Sequence, residues 1–358
     1  CESRREPTAG DDAEHAQIRR CSGERFTWVR EAVFEDPIGC LFEDVDAGGV
    51  EAGHQPLCAG GEGFPVARSI PRCQLRPMKV VTTGAEMRED FKTRNRGEER
   101  RVLVPTMGAL HAGHMELVHR AREVAGPDGT VIVSIFVNPI QFDRASDLDS
   151  YPRPMESDLE KCRSAGVDLV FAPEVASMYF PDRSITVTES LLSGGLCGAT
   201  RPGHFDGVCT VVLKLFLLTS CDAAVFGEKD FQQLAIIRRM VRDLDVPVEI
   251  IECPTVREAD GLAMSSRNVR LTETQRADAP RIQRALLEAA RLDSVEGILR
   301  LAREVISDSP LTRIDYLSLV DAESLQPISD LTKPAVLATA VFYGDVRLID
   351  HVAVSPRK

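Results

Sequence analysis

Pro105-Thr106-Met107-Gly108-Ala109-Leu110-His111-Ala112-Gly113-His114 lies between an apolar run, Arg101 to Val104, and a segment from Met115 to Ala125. In that segment Leu117, Ala121 and Val124 recur at helical spacing. The stretch therefore reads as the turn from a buried strand into a helix. In an open α/β sheet, ligands bind outside the carboxyl ends of the strands, at turns of this kind. Gly108 and Gly113 let the backbone approach a ligand with no Cβ in the way. The free N–H groups and positive end of the following helix favour an anion. His111 and His114 are three apart, so they project to one side if the helix begins at or between them. Each can donate a hydrogen bond to a phosphate oxygen, as imidazole or imidazolium. Taken alone, H-x-G-H also fits an ordinary loop carrying two surface histidines.

Outward from this turn, strands and helices alternate. Val131 to Val137 is nearly all apolar and β-branched, as suits a parallel strand covered on both faces. Met155 to Ala165 reads as a helix with Glu156 and Asp158 offsetting its dipole. Val167 to Phe171 reads as a strand, Val208 to Leu218 as a buried helix, and Ala223 to Phe226 as a strand. Phe231 to Leu244 is an amphipathic helix, and Val248 to Ile251 a further strand. Repeated β-then-α units predict an α/β fold, a doubly wound, Rossmann-like parallel sheet over 78–255. After about Thr255 the order changes to two helices, Arg276 to Arg291 and Val295 to Ser307. Strand-like runs follow at Ile314 to Val320, Val336 to Phe342 and Arg347 to Leu348. That order predicts a smaller α+β domain over 256–358 that closes over a cleft.

Residues 1–77 differ in kind. They are rich in Gly, Pro and charge without a sustained period, and their many acids suit a transit peptide poorly. Met78 begins a run that reads as the start of a domain. The expectation for 1–77 is a disordered extension, or upstream translated sequence with no role in the fold. The chain of 358 residues carries a net charge of −12, which argues against a nucleic-acid or anionic-membrane partner but not against a small anion in a positive pocket. Phe205 to Ser220 comes closest to a membrane span, and Lys214 interrupts it. The 10 cysteines form no C-x-x-C pair and read as reduced thiols of a cytoplasmic protein, without a metal site.

Further polar clusters stand at strand ends. Asn138 and Gln141 follow the most buried strand, where an amide pair suits a carboxylate or hydroxyl, although Asn-Pro is also a plain turn. Arg201 and His204 precede the helix at Val208 and could place a guanidinium and an imidazole over an anion. Gly227-Glu228-Lys229-Asp230 follows Phe226, with Gln232 and Gln233 in the next turn. Met264-Ser265-Ser266-Arg267-Asn268 lies at the junction of the two regions and offers hydroxyls and a guanidinium fork to phosphate.

With these segments in hand, the chain from Met78 to about Val354 resembles the pantothenate synthetase (pantoate–β-alanine ligase) family of the H-x-G-H nucleotidyltransferases. The resemblance rests on PTMGALHAGH (105–114), VSIFVNPIQF (133–142), SYPR (150–153), RPGHFDGV (201–208), FGEKDFQQL (226–234) and VREADGLAMSSRN (256–268). It implies an ATP-dependent, two-step ligation. The carboxylate of pantoate attacks the α-phosphorus of ATP, giving pantoyl adenylate and pyrophosphate, and the amine of β-alanine then displaces AMP. It implies that Met107, Gly108, Ala109, Leu110, His111, Ala112, Gly113 and His114 bind ATP, with His114 as catalytic proton donor. Gly227 to Asp230, Val256, Met264, Ser265, Ser266 and Arg267 are the remaining implied ATP contacts. Gln141 and Gln233 are the implied pantoate contacts, with Asn138, Tyr151, Arg201 and His204 in matching segments. Lys229, Arg267, His111 and His114, with Mg²⁺ arriving on ATP, are expected to supply the positive field, so no protein nucleophile is needed. A homodimer is typical of the family.

Departures fall at Pro154, at Phe180, in the longer stretch Gly126 to Gly129, and at His351, where Asn is common. They touch loop lengths and the second domain rather than the chemistry. The competing readings are another adenylyltransferase of the same superfamily and a non-catalytic nucleotide-binding protein.

Overall fold

The central strands are buried along their length, so helices are laid on both faces of the sheet. The computed structural model describes residues 77–94 and 99–357, so the expectation for 1–77 lies, Pro77 aside, outside the described residues. The strands are β1 (Lys79–Val81), β2 (Arg101–Thr106), β3 (Thr130–Ile135), β4 (Leu169–Phe171), β5 (Ala223–Gly227) and β6 (Glu249–Cys253). They form one sheet in the order β1-β4-β3-β2-β5-β6, every pairing parallel. Among the helices of this region are α1 (Gly84–Arg94), α2 (Ala112–Ala125), α3 (Ala145–Asp149), α4 (Met155–Ser164), α5 (Val175–Met178), α6 (Leu196–Thr200), α7 (His204–Thr219) and α8 (Phe231–Asp243). Side chains alternate across a strand, so Leu103 and Ile132 pack with Met87 of α1, Leu215 of α7 and Ile237 of α8. Val102, Val104, Val131 and Val133 pack on the other face with Val118 of α2 and Cys162 of α4. From β2 the sheet continues through β3 on one side and β5 on the other. The adjacent carboxyl ends of β2 and β5 thus mark the topological switch point, where such sheets bind ligands.

A second, antiparallel sheet is built from β7 (Thr312–Asp321), β8 (Ala335–Tyr343) and β9 (Val346–Val354). Helices α9 (Glu273–Asp278), α10 (Arg281–Ala289) and α11 (Val295–Ser307) precede it. Leu337 and Val341 pack with Ile282 and Leu286 of α10 and Ile298 of α11. Val336 and Ala338, on the opposite face, join the core that holds α6 and α7. The central strand β8 is covered on both sides, which accounts for its nearly unbroken apolar sequence.

Three expectations need correction. The helix read as Arg276 to Arg291 is two, because Pro280 has no N–H to continue the ladder and separates α9 from α10. The strand read as Arg347–Leu348 runs from Val346 to Val354; its polar residues Arg347, Asp350 and His351 hid it. Helix α7 begins at His204 rather than Val208, its first turn being polar. The sequence patterns also left β1 and α1 unassigned.

Candidate active site

The turn after β2 is held by a residue far away in sequence. Thr106 Oγ1 accepts from the Gly108 N–H at 3.1 Å and donates to the Ser134 carbonyl at 2.7 Å. The Asp158 carboxylate, in the first turn of α4 and 1% exposed, accepts from the Ala109 N–H (2.7 Å) and the Leu110 N–H (2.8 Å). Asp158 therefore does more than offset the α4 dipole. His111 is the N-cap of α2: its Nδ1 accepts from the Gly113 N–H at 3.2 Å, while His114 Nδ1 accepts from the His111 N–H at 3.3 Å. The amides of Gly108, Ala109, Leu110, His111, Gly113 and His114 are thus engaged internally, the last with the His111 carbonyl. This corrects the expectation of free N–H groups cradling phosphate. The turn presents imidazole edges instead.

The same bonds fix the protonation of those rings. An Nδ1 that accepts from an amide carries no proton, so each imidazole keeps its hydrogen on Nε2. Burial, with Lys229 nearby, pushes the His111 pKa down to about 4. Burial, then His111 and Lys229, pushes His114 to about 3. Both histidines are neutral N–H donors at pH 7, with ring centroids 4.1 Å apart. Of the two forms open from sequence, the imidazolium drops out.

The cations come from the other side of the switch point. The turn following β5 places Lys229 Nζ 3.6 Å from Asp230 Oδ2. Burial alone would raise the Asp230 pKa, but Lys229 and Arg267 outweigh it and hold the carboxylate ionised. Downstream, the Met264 N–H donates to the Val256 carbonyl at 3.0 Å and Arg257 bridges to Ala263, closing a loop that delivers Ser265, Ser266 and Arg267. Arg257 anchors this loop to β9 by two bonds to Asp350, at 2.7 and 2.8 Å. Arg267 reaches Asp147 at 3.2 Å, and Tyr151 Oη lies 3.5 Å from Ser266 Oγ.

The back wall is an amide network. Asn138 Nδ2 donates to Gln141 Oε1 (2.9 Å) and the Gly207 carbonyl (3.1 Å), and its Oδ1 accepts from the Tyr179 hydroxyl (2.8 Å). Gln141 Nε2 points to Met107 Sδ at 3.1 Å. His204 Nδ1–H donates to the Gln141 carbonyl at 2.7 Å, so Nε2 accepts from Arg201 at 3.0 Å. Burial, then Arg201, lowers the His204 pKa to about 4. Arg201 also binds Asp143 at 2.9 Å. Asn138 and His204 therefore hold Gln141 and Arg201 in place, while both border the cleft. Of the neighbouring glutamines, Gln232 is occupied by Cys197, Leu192 and Gly195, whereas Gln233 faces the cleft.

The imidazoles, the cations and the glutamines line one cleft, with a cavity volume of about 240 Å³. It has an apolar end at Phe136, Val208 and Phe226. Every site residue expected from the sequence borders it except Gly108, Ala109, Leu110, Ala112 and Glu228. Leu110 is a core residue beneath the turn. Glu228 lies in the field of Glu252 and Arg238, and its burial raises its pKa. Asp158, Gly207, Tyr179 and Asp147 were missed, since each acts across dozens of residues and leaves no local signature. Among the described residues no three His, Cys, Asp or Glu side chains gather as a metal site, and no helix is long and apolar enough to cross a membrane. Cys162, Cys197, Cys209, Cys221 and Cys253 are free and buried.

Comparison with known proteins places this geometry. The family described as Pantoate-beta-alanine ligase matches residues 79–353. A pantothenate synthetase of Akkermansia muciniphila is 54% identical over 280 residues, 77% of this chain and 99% of that protein. One from Desulfovibrio desulfuricans is 47% identical over 284 residues, again 77% and 99%. The crystal structure of pantothenate synthetase from Thermus thermophilus superposes with a TM-score of 0.73 at 46% identity, covering 78% of this chain and 100% of that one. Pantoate-beta-alanine ligase from Francisella tularensis, complexed with beta-gamma ATP and beta-alanine, gives 0.65 at 32%, covering 77% and 97%.

Proposed function

This chain belongs to the pantoate–β-alanine ligase family, and on that premise we propose how its cleft joins pantoate to β-alanine at the expense of ATP. A pantoate carboxylate oxygen attacks the α-phosphorus in line, the bond to the bridging oxygen breaks, and pyrophosphate leaves. The amine of β-alanine then attacks the acyl carbon of pantoyl adenylate, and AMP departs with the electron pair. Both nucleophiles belong to substrates, so the protein supplies alignment and charge.

Lys229 and Arg267 exchange their carboxylate partners for ATP phosphates, with Ser265 and Ser266 beside them. His111 and His114 donate from neutral Nε2–H. His114 with its pKa about 3 is a fixed electrophile rather than a source of a proton, as a depressed imidazole can be. Gln141 and Gln233 orient pantoate, whose methyl groups suit the apolar end of the cleft. Asp230, held ionised inside the cleft, is the carboxylate that would hold a Mg²⁺ ion, which would supply positive charge to the phosphates. The enzyme acts in the cytoplasm as a homodimer.

The observation that carries the proposal is the convergence of two neutral imidazoles, Lys229 and Arg267 on one cleft at the sheet's switch point. The test is AMP release with each substrate withheld in turn. AMP is expected only with ATP, pantoate, β-alanine and Mg²⁺ together, and ATP–pyrophosphate exchange with pantoate alone. AMP transferred to a phosphorylated acceptor would favour another adenylyltransferase. ATP binding without turnover would favour a non-catalytic role.

A further inference from the structure

The turn leaves β2 with two successive residues at positive φ, Gly108 at +84° and Ala109 at +51°. An alanine in this region is strained and persists only where its surroundings fix it. What fixes it is the buried Asp158 carboxylate, 49 residues on, gripping the Ala109 and Leu110 amides through one oxygen each. A Cβ at Gly108 would lie 3.0 Å from Asp158 Oδ2, so glycine leaves room for the carboxylate as well as for the turn. Lys161 Nζ stands 3.9 Å from Oδ1. The next peptide carries the His111 N–H that fixes His114, and the His111 ring then caps Gly113.

We propose that Asp158 is a positioning residue for adenylation: by pinning the Ala109–Leu110 peptides it aims the Nε2–H edges of His111 and His114 at the reacting phosphate. Asp158 touches no substrate itself, and its role rests on the ligase reading of the cleft. An acid that merely offset the α4 dipole would need no bond to this turn.

Asp158→Asn in the full chain keeps the shape but turns one oxygen into an N–H₂ facing an amide donor. Pantoate-dependent ATP–pyrophosphate exchange is expected to fall about 100-fold, the scale of a misplacement near 1 Å. The imidazole ¹⁵N spectrum at pH 7, a single Nε2–H tautomer for both rings in the parent, becomes a tautomer mixture. In a His114→Ala background the same substitution costs clearly less than about 100-fold, since only His111 is left to be aimed and coupled residues do not add. Asp158→Glu, which keeps the charge but displaces both oxygens, reproduces these signatures and decides the matter if Asp158→Asn does not fold. Exchange within threefold of the parent, unchanged tautomers, or full additivity with His114→Ala overturns the proposal. A parent protein with no exchange would instead sink the ligase reading, and the tautomer spectrum would still test the anchor.

Discussion

Gly207, in the first turn of α7, is a place where helix propensity and packing disagree. Alanine should favour the helix by about 1 kcal/mol. A Cβ there, however, would lie 2.5 Å from the Ile140 carbonyl oxygen, 2.6 Å from Gln141 Cα and 2.7 Å from Gln141 N. All three are backbone atoms, so no rotamer relieves the overlap. Opening 2.5 Å to an ordinary 3.4 Å contact takes about 0.9 Å. The part that yields is the short turn Pro139–Gln141, held to the start of α7 by Asn138 Nδ2 on the Gly207 carbonyl and by His204 Nδ1–H on the Gln141 carbonyl. Overpacking of this kind costs about 1–3 kcal/mol, partly offset by the propensity gain, so Gly207→Ala remains folded. A shift near 1 Å at Gln141 is expected to cost about 100-fold in kcat/KM for pantoate, while KM for ATP stays near that of the parent. AMP-release kinetics with pantoate varied, alongside a thermal melt, make the measurement. A pantoate kcat/KM within about threefold of the parent, or a KM for ATP raised as much as that for pantoate, would refute the reasoning.

Other perturbations separate charge from alignment. His114→Ala, Lys229→Ala and Arg267→Ala each fold and each lose about 100- to 1,000-fold in ATP–pyrophosphate exchange, the usual cost of one preorganised donor; near-normal exchange removes that residue from the mechanism. His111 and His114, at about 4 and about 3, lie below the ordinary 6.5, so between those values the unfolded chain binds more protons than the folded one. Their contribution to stability is complete above pH 6.5 and is lost as pH falls toward 4 and 3. Imidazole ¹⁵N shifts flat from pH 8 to about 6 check this, and a ring titrating near 6.5 contradicts it. Arg257→Ala leaves the Asp350 carboxylate, 5% exposed, without its cation and with the His351 N–H still donating to it, at a cost of about 3 kcal/mol or more. The Tm then falls by roughly 6–20 °C, and a fall under about 2 °C would mean the pair is readily replaced by water.

The sheet was legible because its burial is two-sided: Val131 to Val137 and Ala223 to Phe226 have no exposed face to carry polar residues, and the runs show it. The site was legible through the turns at its strand ends, whose residues converge because parallel strands carry all their carboxyl ends to one edge. What sequence could not give is which polar atoms are already spent. His111, His114 and His204 look alike as letters, yet the first two keep an Nε2–H for the cleft while the third gives Nδ1–H to Gln141 and accepts from Arg201. Asn138 and Gln141 read as a pair, and only the contact with Gly207 and Tyr179 shows one holding the other. Asp158 at a helix start has an adequate local explanation, which concealed its non-local one.

The charges of the cleft explain one another once these assignments are made. Lys229 faces Asp230 and Arg267 faces Asp147, so both cations are held in place before any nucleotide arrives. Imidazolium at His111 or His114 would add a third positive charge beside Lys229, and burial together with that neighbour keeps both rings neutral. On the proposed mechanism, ATP phosphates must then draw cations away from carboxylates. A bare triphosphate would meet the ionised Asp230 as a like charge; a triphosphate carrying Mg²⁺ would meet it as a ligand. Pairing each cation with an acid therefore does two things at once. It keeps a cationic site ordered in a chain of net charge −12, and on the proposed mechanism it would make entry of the nucleotide depend on the metal that accompanies it.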